Sequence, residues 1–294
     1  MVFMKIKYRY FWKYFDKTNN IFKIILSQEF RERDKLTIEI HSVFTRPRRF
    51  YSYFIRAQIF LRLKIRRLFG LRVIYIWYTG ELISPPKGYD LTLSYEPSNR
   101  NNIYWPLWAT YTDYSNKGIQ LDRGKTFSMT ELVEHRDLIN LGERSWKSCA
   151  FISNPTDWRL KIAKELEEMG ILDIYGKSVG RPVTSKYEIS KDYMFQFCFE
   201  NKVSERYISE KPFEAWISGN IPIYLGGFNN EYLNNSSLID CRSVNFDEIT
   251  KFIANSITNE KLMLDKWCQP ILLKPYRYQH FLDNLNNRIL DIDH

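Results

Sequence analysis

The chain has 294 residues, 44% of them hydrophobic and 26% charged, which excludes a fibrous or largely disordered protein and leaves room for two domains, each with its own core. Its net charge of +9 is uneven: residues 1–72 hold 18 Lys or Arg against 5 Asp or Glu, a balance of +13 that leaves −4 for the remainder. Four cysteines, Cys149, Cys198, Cys241 and Cys268, form no Cys-x-x-Cys pair, so neither a zinc site nor a dense disulfide framework is expected, and a reducing compartment fits.

Residues 5–10 mix β-formers with basic side chains and predict a strand, followed by a polar turn with Asp16, Asn19 and Asn20. Ile21, Ile24, Ile25 and Phe30 fall near one helical face, and 36–40 alternates as a second strand. After Pro47, residues 50–68 set Phe, Ile and Leu among Arg at helical spacing, and Gly70 closes the run as a C-cap would. The continuous apolar run 73–77 suits a strand buried on both faces of a parallel sheet. Residues 90–94 predict a further strand, and Trp105-Pro106-Leu107-Trp108 leaves the sheet. The stretch 111–146 is polar, with one short helical pattern near 128–138; the interdomain connection is placed at 126–146, between an N-terminal domain 1–125 and a C-terminal domain 147–294 whose last helix can cross back. Strand 148–152, helix 157–169, strand 172–175, helix 189–192, strand 194–199, helix 209–218 and strand 221–225 follow.

Alternation of this kind in two blocks implies an α/β protein of two facing, doubly wound Rossmann-like domains. Ligands of such sheets bind beyond the carboxyl ends of strands, so the loops after Trp77, Ile152 and Phe199 are where chemistry is expected.

The densest chemistry lies in Phe199-Glu200-Asn201 and in Tyr207-Ile208-Ser209-Glu210-Lys211, which leads into a helix. Ser209 suits the N-cap, with Pro212 tolerated in the first turn. Free N–H groups beside Lys211 would then suit a diphosphate, and the Glu210 carboxylate two ribose hydroxyls. Taken singly, each residue also fits a capped helix with surface charges.

As a string, these residues resemble the α-1,3/1,4-fucosyltransferases of glycosyltransferase family ten. That family's diagnostic block is a strand ending in Phe-Glu-Asn, then Tyr-[Ile/Val]-Thr-Glu-Lys, a small-residue helix and a Pro-containing strand closing in Gly; here Ser209 replaces Thr and keeps the hydroxyl. Trp77-Tyr78-Thr79-Gly80-Glu81, Tyr104-Trp105-Pro106-Leu107-Trp108 and Ser153-Asn154-Pro155 with Arg159 are similar to further family blocks, in order, over roughly residues 5–270.

The resemblance implies a GT-B fold with the active site in the interdomain cleft, and transfer of fucose from GDP-fucose, with inversion, to a glycan hydroxyl, the 3-OH of N-acetylglucosamine in a cell-surface glycan or lipopolysaccharide. It implies that Glu81 is the general base, working through a carboxyl pKa raised toward neutrality. Arg159 and Lys211 would stabilise the leaving diphosphate, Asn201 and Tyr207 would bond its oxygens, Glu210 would hold the nucleoside sugar and Glu200 would approach the fucose. Leu82 departs from the pattern, since the family usually has Asn there.

No cofactor is required by this reading. A divalent metal is possible, but Asp291-Ile292-Asp293 is the only Asp-x-Asp and fits a solvated tail, and His41, His135, His280 and His294 lack ligand spacing and are taken as bystanders. The start lacks the apolar run of a signal peptide and no stretch of about 18 apolar residues exists, so a cytoplasmic protein is expected. The basic N-terminal region would touch the anionic inner face of a membrane or stand as a solvated face; no basic-region or finger spacing supports nucleic acid. A transferase using another nucleotide sugar, or a silent glycan-binding protein, remains as an alternative.

Overall fold

A computed structural model describes residues 5–11, 36–43, 73–83, 88–113, 127–227 and 231–293, with single positions and pairs between 17 and 26 and between 57 and 69. Most of the helices expected over 21–30 and 50–68 lies outside the described residues. The chain forms two compact units: Met1–Thr110, Ser115–Asp122 and Arg277–His294 make the first, and Tyr111–Tyr114 with Arg123–Tyr276 the second.

The first unit is built on a five-stranded sheet in the order β1 (Lys5–Arg9), β2 (Thr37–His41), β3 (Val73–Tyr78), β4 (Leu91–Ser94) and β5 (Asn102–Tyr104), every pair parallel. The strand order does not reverse, so this sheet is wound in one direction rather than two. β3 lies at its centre and is apolar on both faces because both are covered. The helix Tyr278–Asp293 buries Phe281, Leu282, Leu285 and Ile289, an i, i+4 pattern that makes one apolar stripe. Phe281 meets Trp105 with ring centroids 4.1 Å apart.

The second unit holds a short parallel pair, β6 (Thr112–Asp113) with β7 (Phe127–Ser128), and a second five-stranded parallel sheet. That sheet runs β12 (Ile239–Asp240), β11 (Ile221–Leu225), β10 (Tyr193–Phe199), β8 (Ser145–Phe151), β9 (Leu172–Tyr175). The chain steps outward from β8 to β9, then returns to the other side of β8 to lay down β10. Strand order therefore reverses between β8 and β10, the place where open α/β sheets leave a crevice at their carboxyl edge.

Residues 126–146 are not a linker between the units. Ser128 and Glu131 form a capping box that starts the helix Met129–Val133, the Leu272 amide donates to Leu132 O at 2.9 Å, and the Arg136 amide to Cys268 O at 3.0 Å. The Arg136 guanidinium carbon lies 3.9 Å from the centre of the Trp216 ring. These bonds make the segment part of the second unit. The helix expected at 189–192 starts earlier, as Lys186–Ser190, because Ser185 caps it by accepting from the Glu188 amide.

Candidate active site

The helix Asp157–Glu168 follows β8 and buries Arg159, Ile162, Ala163 and Leu166, spaced i, i+3, i+4, i+7 on one face. Three are core residues; the fourth is an arginine that is 4% exposed, and a charge on the buried face of a helix needs partners. Arg159 finds them at the reversal point. One Nη donates to Phe199 O at 3.3 Å and to Asn201 Oδ1, and the other to Asn154 O at 3.0 Å. It thereby ties the loop after β8 to the end of β10. Burial holds its pKa below the ordinary arginine value against the opposing pull of Glu200, and its buried Nε–H has no partner among the described residues.

Glu200, the residue after β10, is wholly buried. Its Oε1 accepts from the Ser209 amide at 2.8 Å and its Oε2 from Lys211 Nζ at 2.7 Å. Lys211 Nζ also donates to Ser209 Oγ at 3.0 Å, so two of its three N–H groups are held while the side chain stays 23% exposed. Burial would lower the Lys211 pKa, but the carboxylates of Glu200 and Glu210 outweigh it and the net shift is upward. The lysine is a fixed cation with one donor to spare.

The chain can close around this pair only because glycines follow β11. A Cβ on Gly226 would stand 2.6 Å from Glu200 Cγ, and one on Gly227 would stand 2.5 Å from the Tyr207 amide nitrogen. Gly227 donates its amide to Tyr207 O at 3.0 Å, and its carbonyl accepts from Tyr224 Oη at 2.7 Å. Tyr207 is buried beside it.

The helix Lys211–Ile217 begins one residue later than expected: Glu210 occupies the N-cap position, and Ser209 Oγ accepts from the Lys211 amide at 3.3 Å instead. Glu210 is half-buried at this turn. On the next turn Glu214 pairs with Lys186 at 2.9 Å, a pair that sequence reasoning missed. Burial opposes the Lys186 charge, and Glu214 and then Glu210 raise its pKa above the lysine norm. The second unit thus brings together Arg159, Asn201, Glu200, Ser209, Glu210 and Lys211. Glu200, expected at the sugar, has both oxygens committed to Ser209 and Lys211 and acts on the lysine.

Glu81 belongs to the first unit, on the loop after β3, and is half-buried. Thr79 Oγ donates to Glu81 O at 2.6 Å and Ile83 N to the same oxygen at 2.7 Å, which fixes the backbone beneath the carboxylate. Tyr78, one step earlier, is wholly buried and bonds Thr110 Oγ at 2.9 Å, so its phenol serves the core.

One histidine is not a bystander. His41, at the carboxyl end of β2, is buried between Glu39 Oε1 and Tyr89 Oη, each 2.9 Å from a ring nitrogen. Tyr89 and Asp90 close the loop that carries Glu81, and Asp90 Oδ2 accepts from the Tyr75 amide at 2.9 Å. The signal was the alternation of β2, which puts Glu39 and His41 on one face of a strand whose faces are both covered.

Among the described residues no group of His, Cys, Asp or Glu is arranged to hold a metal ion. The model of the glycosyltransferase family 10 (fucosyltransferase) C-terminal domain matches residues 142–273, the span that contains the reversal point and every residue gathered there. Residues 142–273 are thus similar to that domain. Over 117 residues it is 32% identical to 4-galactosyl-N-acetylglucosaminide 3-alpha-L-fucosyltransferase 9 of Bos taurus, which covers 38% of this chain and 33% of that protein. Over 90 residues it is 33% identical to alpha-(1,3)-fucosyltransferase FucT of Helicobacter pylori, covering 30% and 19% respectively. The chain therefore matches a third or less of the length of these curated relatives. In fold the likeness is wider: a crystal structure of alpha1,3-fucosyltransferase with GDP-fucose superimposes with a TM-score of 0.68 at 20% identity, over 100% of this chain and 90% of that one. The chain thus has the two-sheet α/β fold of the GT-B class.

Proposed function

We propose that this protein is an inverting α-1,3-fucosyltransferase that uses GDP-fucose. The observation that carries the reading is the Lys211 ammonium, locked by buried Glu200 at the reversal point of the family 10 domain, with a third N–H left to donate. Lys211 and Arg159 stabilise the charge of the diphosphate, Asn201 and Tyr207 bond its oxygens, and Glu210 accepts from the ribose hydroxyls. In the reaction the acceptor hydroxyl oxygen attacks the anomeric carbon of fucose. The bond from that carbon to the β-phosphate oxygen breaks, GDP leaves with the electron pair, and the hydroxyl proton passes to Glu81. Attack opposite the leaving group inverts the centre. The acceptor is the 3-OH of N-acetylglucosamine in a cell-surface glycan or lipopolysaccharide, in line with the acceptor for which the bovine relative is named. Because protein cations neutralise the leaving group, chelation of divalent ions leaves turnover intact.

A panel of nucleotide sugars incubated with and without N-acetyllactosamine tests this by released nucleoside diphosphate. GDP released from GDP-fucose in an acceptor-dependent way is the expected result. Turnover of a different nucleotide sugar would replace the donor, and GDP binding without turnover of any would leave a silent glycan-binding protein.

A further inference from the structure

Among the described residues, four exposed large apolar side chains fall within nine positions of the basic N-terminal stretch. Leu61, Ile65 and Leu68 are helical in the structure, and Phe69 donates its amide to Ile65 O at 3.1 Å, an i to i−4 helical bond. Spaced i, i+4 and i+7, the three lie within one stripe of the helix. That stripe faces water: Leu61 is 58% exposed, Ile65 43%, Leu68 83% and Phe69 77%. An ordinary surface helix turns such a stripe to the core and its charges outward. Here the described positions of the stripe, Ala57 and Lys64 included, are all exposed.

The surrounding sequence supplies the second observation. Between residues 40 and 80 there are nine Arg or Lys and no Asp or Glu, and Arg62, Lys64, Arg66 and Arg67 interleave with the apolar side chains. A nucleic-acid surface would account for the cations but not for four exposed apolar residues in nine positions. An apolar partner groove would account for the ridge but not for the one-signed charge. An anionic lipid surface accounts for both, since acyl chains take the ridge and headgroups the cations.

We propose that the helix carrying Leu61, Ile65, Leu68 and Phe69 lies in the interface of an anionic phospholipid membrane and docks the protein there. The proposal does not depend on the fucosyltransferase reading. Flotation of the full chain with vesicles of phosphatidylcholine, alone or mixed with phosphatidylglycerol, tests it. Mixed vesicles at low salt should carry the protein up, phosphatidylcholine alone should not, and moderate salt should release it. The variant L61S/L68S/F69S should lose flotation by at least about tenfold, while its GDP affinity and thermal midpoint match the parent. Failure to float with mixed vesicles, equal flotation on neutral ones, or unchanged flotation of the variant would each overturn the proposal. So would salt-sensitive binding to a short RNA at equal strength.

Discussion

Glu200 reaches Lys211 at 2.7 Å from a position that no solvent touches, so the ammonium is held from behind by a buried carboxylate. Its second oxygen takes the Ser209 amide, so one side chain sets both the lysine and the turn before it.

Replacing Lys211 by Ala should weaken GDP binding and turnover together, because it removes the cation and strands a buried carboxylate. Glu200→Gln should raise the donor KM by about tenfold or more, since the amide no longer holds an ammonium in place. Calorimetric titration with GDP reads both; equal affinity in the Lys211 variant would remove it from the diphosphate.

The raised pKa of Lys211 gives a pH prediction with a definite sign. A lysine raised by its partners keeps its charge below its ordinary value of about 10.4, and the stability it contributes is lost only as pH climbs through the higher folded value. The Lys211 contribution to GDP affinity should therefore stay level up to about pH 10.4, where an ordinary lysine has lost half its charge. A fall that tracks an ordinary lysine titration would show that the Glu200 pair is not formed in solution.

Glu81→Ala should leave GDP binding as it is and lower kcat by about a hundredfold or more, the size of a lost general base. Glu81→Gln should lower it similarly, because an amide keeps the shape but takes no proton. Unchanged turnover in both variants excludes this residue as the base.

Gly227→Ala should cost about 1–3 kcal/mol of stability, because the new methyl group meets backbone atoms of Ser204 and Tyr207 that no rotamer can withdraw. Thermal unfolding checks it, and a parallel rise in donor KM is expected from the displaced Tyr207.

In the first unit, Tyr89→Phe should cost about 1–2 kcal/mol by leaving a buried His41 nitrogen without its partner. Burial would raise the Glu39 pKa, but His41, Arg9 and Lys7 pull it lower overall. A depressed carboxylate contributes stability above its unfolded pKa of about 4.3 that disappears as pH falls through the folded value, so Glu39→Gln should flatten the acid arm of the unfolding curve. An acid arm of unchanged steepness in that variant would exclude the Glu39 pair as its source.

The strands were legible because periodicity and burial agree: 221–225 coincides with β11, and 157–169 runs one residue past the helix that carries Arg159. The gathering of Arg159, Glu200 and Lys211 was legible as a string of residues, but not the manner of it. The N-cap position expected for Ser209 is taken by Glu210, and Ser209 Oγ accepts from the Lys211 amide from one residue further out. Lys186 with Glu214, and His41 with Tyr89, escaped notice for a common reason. Each pairs residues 28 or 48 positions apart whose types are ordinary, and only the fold makes them neighbours. The β4 to β5 link is too short for a helical crossover, and periodicity did not mark β5 as a separate strand.

The path of the backbone through the units has a practical consequence. Because Arg277–His294 returns to the first unit, the second unit is spliced into its neighbour at two seams rather than appended at one. A single protease nick in 111–123 would leave the two fragments held only by the packing of the helix Tyr278–Asp293, which stays on the second fragment, and a deletion stopping at Tyr276 would take away the Phe281 ring that covers Trp105. Swapping donor specificity between relatives therefore calls for an exchange cut at both seams, with the terminal helix kept alongside the sheet it shields.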